Sequence, residues 1–342
     1  MRKVEIAKRF SKEVDSLDTG THIVMGLALG GIATLDPVVT ADPATTSAVM
    51  FGAIIGSQAP DLDTILKLRN NAQYIRNHRG ITHSIPAILI WSILITGAIY
   101  YFVPTANLFH LWIWTFIGVI LHVFVDIFNA YGTQALRPFS KKWVALGVIN
   151  TFDPFIFFMH VVGIIIWSNG AHPGLTFITI YFILFIYYII RFKLRGNVTN
   201  AVKEKIPGTK EIIISPTFRF NQWHIAVKSD SYFYVARAKN NEIIIHDKFS
   251  NCALPETPVF KAAVKDKNVA AFLSFSPVYR WEVDEYDDHY EVRFIDLRYR
   301  SKGHYPFVAV VKLDQDLAIL SSYTGWIFSE EKLRKKLELI PG

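Results

Sequence analysis

Five short stretches carry chemically active residue types in places where an apolar chain rarely puts them. Leu121–Thr133 reads LHVFVDIFNAYGT, with His122 and Asp126 four residues apart and Asn129 seven from His122. On a helix that spacing puts all three on one stripe. An imidazole and a carboxylate one turn apart can share a divalent metal, both being good zinc ligands. The same spacing also suits a hydrogen-bonded pair lining a helix bundle. Asn77–Pro86 reads NHRGITHSIP, where Gly80 breaks any helix and Thr82 and Ser84 ahead of Pro86 mark a helix start. His83 then sits at a helix N-terminus, with His78 and Arg79 on the loop leading in. Spare backbone N–H groups and an arginine beside a metal ligand suit a phosphate oxygen, while an ordinary cap at a basic membrane edge has the same pattern. Gln58–Asp63, QAPDLD, ends an apolar stretch at Pro60 and presents Asp61 and Asp63 on the exit turn. Carboxylates there can bridge ions or orient an attacking water, or simply form a turn and a cap. Asp18–His22, DTGTH, opens another apolar stretch, and Asp153-Pro154 opens a further one. Taken singly, capping accounts for both.

The elements that position these residues are apolar. The chain has 342 residues, 51% apolar and only 19% charged, against about 25% charged in soluble domains. That excludes a disordered tail, a collagen-like fibre and a coiled coil. One cysteine, Cys252, excludes a disulfide framework and a Cys-based zinc finger, and a net charge of +7 does not by itself imply nucleic acid. From Ile85 to Phe192 the only acidic side chains are Asp126 and Asp153. Four runs fit there, Ile85–Val103, Phe109–Phe128, Val148–Trp167 and Leu175–Phe192, each near the ~20 residues a helix needs to cross ~30 Å of hydrocarbon. Two weaker runs precede them, Ile23–Leu35 and Ser47–Ala59, joined by the polar Asp36–Thr46. A crossing hairpin, a shallow protein-covered hairpin and a buried soluble hairpin all fit these two. The first twenty residues carry Arg2, Lys3, Lys8, Arg9 and Lys12 with no apolar core behind them. They read as a basic amphipathic segment on an anionic surface and not as a cleaved signal peptide.

Orientation follows from Lys and Arg in short loops. Lys67, Arg69, Arg76 and Arg79 precede the first strong run, and Arg137, Lys141 and Lys142 follow the second, whereas Pro104–Leu108 and Ser168–Gly174 have no Lys or Arg. The N-terminus, both basic loops and the tail after Arg191 are therefore expected in the cytoplasm of a multi-pass cell-membrane protein. With that topology His22, Asp61, His83, His122, Asp126 and Asp153 all fall at cytoplasmic helix ends. Unrelated caps would scatter over both ends, so one metal site built from several helices is expected.

After Gly196 the composition shifts. Glu211–Phe220, His224–Arg237, Glu242–Asp247, Tyr279–Glu285 and Tyr290–Arg300 alternate apolar and charged residues as half-wet antiparallel strands do. Asn240-Asn241, Asp287-Asp288 and Ser301–Gly303 read as turns, and Ser329–Leu339 as a closing helix. The expected architecture is an all-α polytopic membrane helical bundle over residues 1–195, followed by a soluble, mostly antiparallel β domain with a C-terminal helix over 196–342, facing the cytoplasm.

The ordered set DTGTH, QAPDLD, HRGITHS and HVFVDIFNAYGTQ resembles the YdjM/YfhP-like family of bacterial membrane-bound metal-dependent hydrolases, over about residues 17–155. That family is in turn distantly similar to zinc-dependent phospholipase C and the S1/P1-type nucleases, helical proteins that bind three zinc ions. The resemblance implies metal ligands at His22, Asp61, His83, His122 and Asp126. It departs from those relatives in lacking their N-terminal Trp ligand and their downstream ligands for a third zinc. One or two ions, zinc first among divalent metals, are the expectation, with Asp63, His78, Arg79 and Asp153 as further members of the site.

The chemistry expected is hydrolysis of a phosphoester by metal-activated water. In that scheme Asp61 bridges ions or takes the water's proton, and Asn129 orients Asp126. Arg79 and the helix start at Ser84 face the developing charge. A site at headgroup depth points to membrane lipids as surroundings and to a phospholipid or lipid-linked phosphate as substrate. Two other readings stand beside it: a non-catalytic metal-binding scaffold or regulator, and a transporter using His122 and Asp126 as a relay. The second lacks polar residues at other depths. Nucleic acid is disfavoured, because no interleaved basic-aromatic stripe accompanies the site.

Overall fold

The computed structural model describes residues 19–68, 71–301 and 303–338, so the expected basic segment before residue 19 lies outside the described residues. These residues cluster into two compact units, one helical (19–63 and 79–195) and one β-rich (64–78 and 196–338).

The helical unit begins with α1 (Thr19–Ala33), α2 (Pro37–Ala41) and α3 (Pro43–Gly56). The polar connection between the two weak apolar runs consists of caps. Asp36 accepts from Val38 N and Asp42 from Thr45 N, each followed by a proline at the first helical position. A 3-10 stretch (Ala59–Leu68) leaves α3 at Pro60. After it come α4 (Asn71–Asn77), a 3-10 turn (Ile81–His83), α5 (Ile85–Phe102), α6 (Leu108–Asp126), α7 (Pro154–Ser168) and α8 (Pro173–Lys205). Among the described residues α5, α6 and α8 are long and apolar enough to cross a membrane, while α1, α3 and α7 are apolar but shorter.

The run Val148–Trp167 does not become one helix of that length. Asp153 caps α7 and Pro154 opens it, while Val148 and Ile149 lie outside any helix and donate to Phe128 O. Close crossings bring α1, α3 and α6 together. A Cβ on Gly26 would lie 2.7 Å from Ile54 Cα, and one on Gly118 3.0 Å from Ala53 O. Only glycine allows backbones to approach that closely.

The β-rich unit holds two four-stranded antiparallel meanders. The first joins β1 (Thr209–Pro216), β2 (Gln222–Ser229), β3 (Tyr232–Lys239) and β4 (Glu242–Ser250) in that order. The segment His224–Arg237 thus folds as two strands rather than one, and the Asn240-Asn241 turn has both φ angles positive (51° and 67°), as a tight hairpin needs. The second joins β5 (Tyr279–Glu285), β6 (His289–Asp296), β7 (Phe307–Asp314) and β8 (Ile319–Trp326). Helices α9 (Pro258–Ala263) and α10 (Lys267–Phe275) cover one of its faces through Phe260 and Phe272 on Val292, Phe294 and Val311. The closing α11 (Glu330–Glu338) sets Leu333 and Leu337 in a cluster with Ile295, Val308 and Val310. Burial on both faces explains why β7, FVAVVKLD, is an unbroken apolar run instead of an alternating one. Helix α4 joins this unit: Asn71 Nδ2 donates to Thr324 O at 2.8 Å, and Ile75 packs on the cluster around Phe272.

Candidate metal centre

Five buried or nearly buried ionisable side chains from four separate stretches meet in the helical unit. His22 comes from the first turn of α1, and Asp61 from the 3-10 stretch that Pro60 forces after α3. His83 closes the short 3-10 turn ahead of α5, and His122 and Asp126 occupy the last turns of α6. His22, His83, His122 and Asp126 are each no more than 2% exposed. One ligand atom each from Asp61, His83, His122 and Asp126 lies within 4.8 Å of all the others.

The ring nitrogens are oriented by their neighbours. His122 Nδ1 lies 2.7 Å from Ser57 O, an acceptor, so it donates, which turns the Nε2 lone pair inward. Thr82 Oγ1 donates to Asp63 Oδ2 at 2.6 Å and lies 3.0 Å from His83 Nδ1. The threonine's lone pair is then left to accept from that nitrogen, and His83 Nε2 also faces inward without its proton. The two Nε2 atoms are 3.3 Å apart. Asp126 Oδ2 lies 3.2 Å from His83 Nε2 and 3.6 Å from His122 Nε2, and Asp61 Oδ1 lies 3.6 Å from each. Two imidazole lone pairs and two carboxylate oxygens aimed at one point repel each other unless a cation sits among them. The donor set therefore fits a divalent metal ion of the zinc type.

Arg79 engages two of the carboxylates: its terminal nitrogen is 3.2 Å from Asp126 Oδ1 and its backbone N–H donates to Asp63 Oδ2 at 3.0 Å. Arg79 is buried with φ +57°, an uncommon backbone state for a side-chain-bearing residue. Such strain is often held at functional sites.

The remaining candidate residues are distributed as follows. His22 stacks on His122 with ring centroids 3.9 Å apart, and its Nε2 is 3.7 Å from Asp126 Oδ1. It stands beside the four-atom group rather than in it. Asn129 Nδ2 is 3.4 Å from Asp126 Oδ1, while its Oδ1 accepts from Tyr131 N and Gly132 N and shapes the turn after α6. Ser84 is occupied as the cap of α5, accepting from Ala87 N and donating to Ile81 O. Asp153 caps α7 and accepts from Tyr187 Oη at 2.8 Å. His78 ends α4, stacks on Tyr74 and belongs to the β-rich unit. A cavity with room for about one water is lined by Thr21, His22, Asp126, Asn129, Asn150 and Asp153 among others.

Two contributors were not singled out from sequence. Ser57 acts through its carbonyl on His122, and its hydroxyl donates to His22 O at 2.8 Å. Thr82, read only as part of a helix start, carries the link from Asp63 to His83.

Residues 17–198 match the family model described as YdjM inner membrane protein. Residues 207–249 match the YfhP middle domain, and 258–337 the YfhP C-terminal alpha/beta plait domain. The chain is 63% identical over 324 residues to a Bacillus subtilis (strain 168) protein described as "Uncharacterized protein YfhP", covering 94% of this chain and 99% of that one. No solved structure matches the chain significantly.

Proposed function

The chain belongs to the YdjM/YfhP family of membrane proteins, and on that footing we propose that it is a metal-dependent hydrolase cleaving a phosphoester at the cytoplasmic membrane face. The observation that carries this reading is the inward convergence of His83 Nε2, His122 Nε2, Asp126 Oδ2 and Asp61 Oδ1. These four would hold the ion, with zinc the first choice for two imidazoles and carboxylate oxygen. His22 beside Asp126 Oδ1 marks where a second ion would find ligands. A bound zinc would supply Lewis acidity, lowering the pKa of water from ~16 toward ~7 and polarising a phosphoryl oxygen.

The protein's own groups supply the rest. Asp61, with its side chain 15% exposed, is the least buried of the four and the one placed to take a proton from an attacking water. Asp63, through Thr82, holds the His83 ring in its tautomer. Arg79 fixes Asp126 and adds positive charge for an anionic phosphoryl group. Because the ligands cap the ends of α5 and α6, both candidate membrane spans, an amphiphilic substrate suits the site, a phospholipid or a lipid-linked phosphate. The cytoplasmic assignment rests on the Lys and Arg of the short loops.

Metal analysis of the detergent-purified protein beside His83→Ala, run with a panel of phosphoesters and phospholipids, tests the proposal. The expected result is stoichiometric metal and turnover in the wild type and neither in the variant. Stoichiometric metal with no turnover on any substrate would favour a metal-binding scaffold. A wild type that holds no metal after incubation with zinc would end both readings.

A further inference from the structure

The segment after α6 has a shape that the metal centre does not account for. Residues 133–144 form a closed loop. Thr133 and Val144 exchange backbone hydrogen bonds of 3.1 and 2.9 Å at its base, and Gln134 Nε2 donates across it to Lys141 O at 2.7 Å. Ser140 N donates to Leu136 O, which tightens the tip. On this ordered support Phe139 is 86% exposed and Leu136 49% exposed. A loop held by its own hydrogen bonds has no packing reason to present a bare phenyl ring at its tip. Lys141 and Lys142 beside it are exposed and Arg137 is half-buried, with no acidic residue between 127 and 152.

The loop is also continuous with a surface suited to hydrocarbon. Ile85 N, at the start of α5, donates to Arg137 O at 3.2 Å. From that point exposed Ile85, Leu89 and Ile93 ascend one face of α5 at helical spacing. Aromatic and aliphatic tips flanked by Lys and Arg are the chemistry of an interfacial anchor on anionic lipid. The same loop reaches the metal centre, since Gln134 N and Thr133 Oγ1 both donate to Arg79 O, at 2.9 and 3.0 Å.

We propose that residues 136–142 are a membrane-interface wedge. Leu136 and Phe139 enter the acyl boundary, Arg137, Lys141 and Lys142 hold anionic headgroups, and the loop base ties that contact to Arg79. The inference stands whether or not the centre hydrolyses anything.

The test uses the full chain with its one cysteine removed (C252S) and a nitroxide on F139C, in nanodiscs of phosphatidylcholine alone or mixed with phosphatidylglycerol. The expected result is preferential relaxation by oxygen over a water-soluble nickel chelate, the signature of a label below the headgroups. A label on D288C, at an exposed carboxylate of the β-rich unit, provides the aqueous reference. In a K141E/K142E background the gain from phosphatidylglycerol should fall by about tenfold or more, as expected for two reversed charges near a charged surface. A Phe139 label as accessible to the nickel chelate as the reference overturns the proposal. So does a label shielded from both relaxing agents, which would place a protein partner on the tip. Burial of the label that is indifferent to phosphatidylglycerol would overturn the role of the basic residues.

Discussion

Both units of this protein bury charged side chains, and they do so in opposite ways. In the β-rich unit Asp296 is fully buried and Arg298 nearly so. Arg298 Nε lies 3.1 and 3.0 Å from the two Asp296 oxygens, and its terminal nitrogen donates to Asp296 Oδ2 at 2.6 Å and to Phe275 O at 3.0 Å. The charges close on each other, with Phe275 and Tyr299 against the guanidinium. In the helical unit His83 Nε2 and His122 Nε2 point at one another and at carboxylate oxygens of Asp61 and Asp126. A closed pair satisfies itself, whereas acceptors that converge on one point suit a cation placed among them. Burial alone does not separate structure from function; the direction in which donors and acceptors face does.

The largest effect is expected where the closed pair is broken. Arg298→Met leaves Asp296 buried without its partner and should cost about 3–5 kcal/mol, read as a lower unfolding temperature of the full chain in detergent. Adding Asp296→Leu should recover most of that loss, since an apolar pair of similar volume replaces a buried ion pair at little cost. Metal content should not change in either variant. Destabilisation that survives in the double variant would mean the pair does more than satisfy itself.

The open cluster should respond in the reverse sense. Asp126→Asn keeps the shape and removes a charge that both the imidazoles and Arg79 face. Metal affinity, measured by competition with a chromophoric chelator, should fall by more than the ~100-fold that losing only an outer partner reaches. Wild-type affinity in this variant would remove Asp126 from the ligand set.

Much of this contrast was legible in the residue order, and what was not has physical reasons. His122 and Asp126 announce themselves by helical spacing in an apolar run, and Asp153 by standing before Pro154. Ser57 was invisible because its part is played by a carbonyl that every residue owns. The membership of 64–78 in the β-rich unit was equally hidden, since Asn71 and Ile75 act through long-range contacts that residue order does not reveal. The apolar run that ends in α7 starts before the helix does, because hydropathy counts non-helical Val148 and Ile149 as it counts helix. Helices α9 and α10 carry capping residues, Thr257 and Asp266, but each is short enough for its pattern to be lost between strands.

A milder change sharpens the comparison from outside the ligand set. Thr82→Val preserves volume but cuts the link by which Asp63 holds His83 Nδ1. Metal affinity should drop about 10–100-fold, while unfolding temperature without metal should move little. Asp63→Asn should weaken binding to a similar degree, because the amide is a poorer acceptor for Thr82. A Thr82→Val variant with unchanged affinity would show that His83 keeps its ring in place by packing alone.

The smallest effect belongs to the β-rich unit and to pH. Burial, with Arg237, His246 and Arg300 adding to it, pushes His224 down from its ordinary 6.5 to about 4. Its folded form therefore binds a proton less readily than the unfolded chain, so the unfolded state holds more protons between those two values. Stability from this residue is complete above about pH 6.5 and is lost as pH falls toward 4, at most about 3 kcal/mol and reduced by solvent screening because the ring is partly exposed. In His224→Gln, which cannot charge, the unfolding temperature of this unit should fall less steeply across that window than in the wild type. Identical slopes would mean that the cationic neighbours reorganise as His224 protonates. This unit's response to acid would then come from its carboxylates, beginning with Asp247, which accepts from Tyr305 Oη at 2.7 Å and pairs with Arg300.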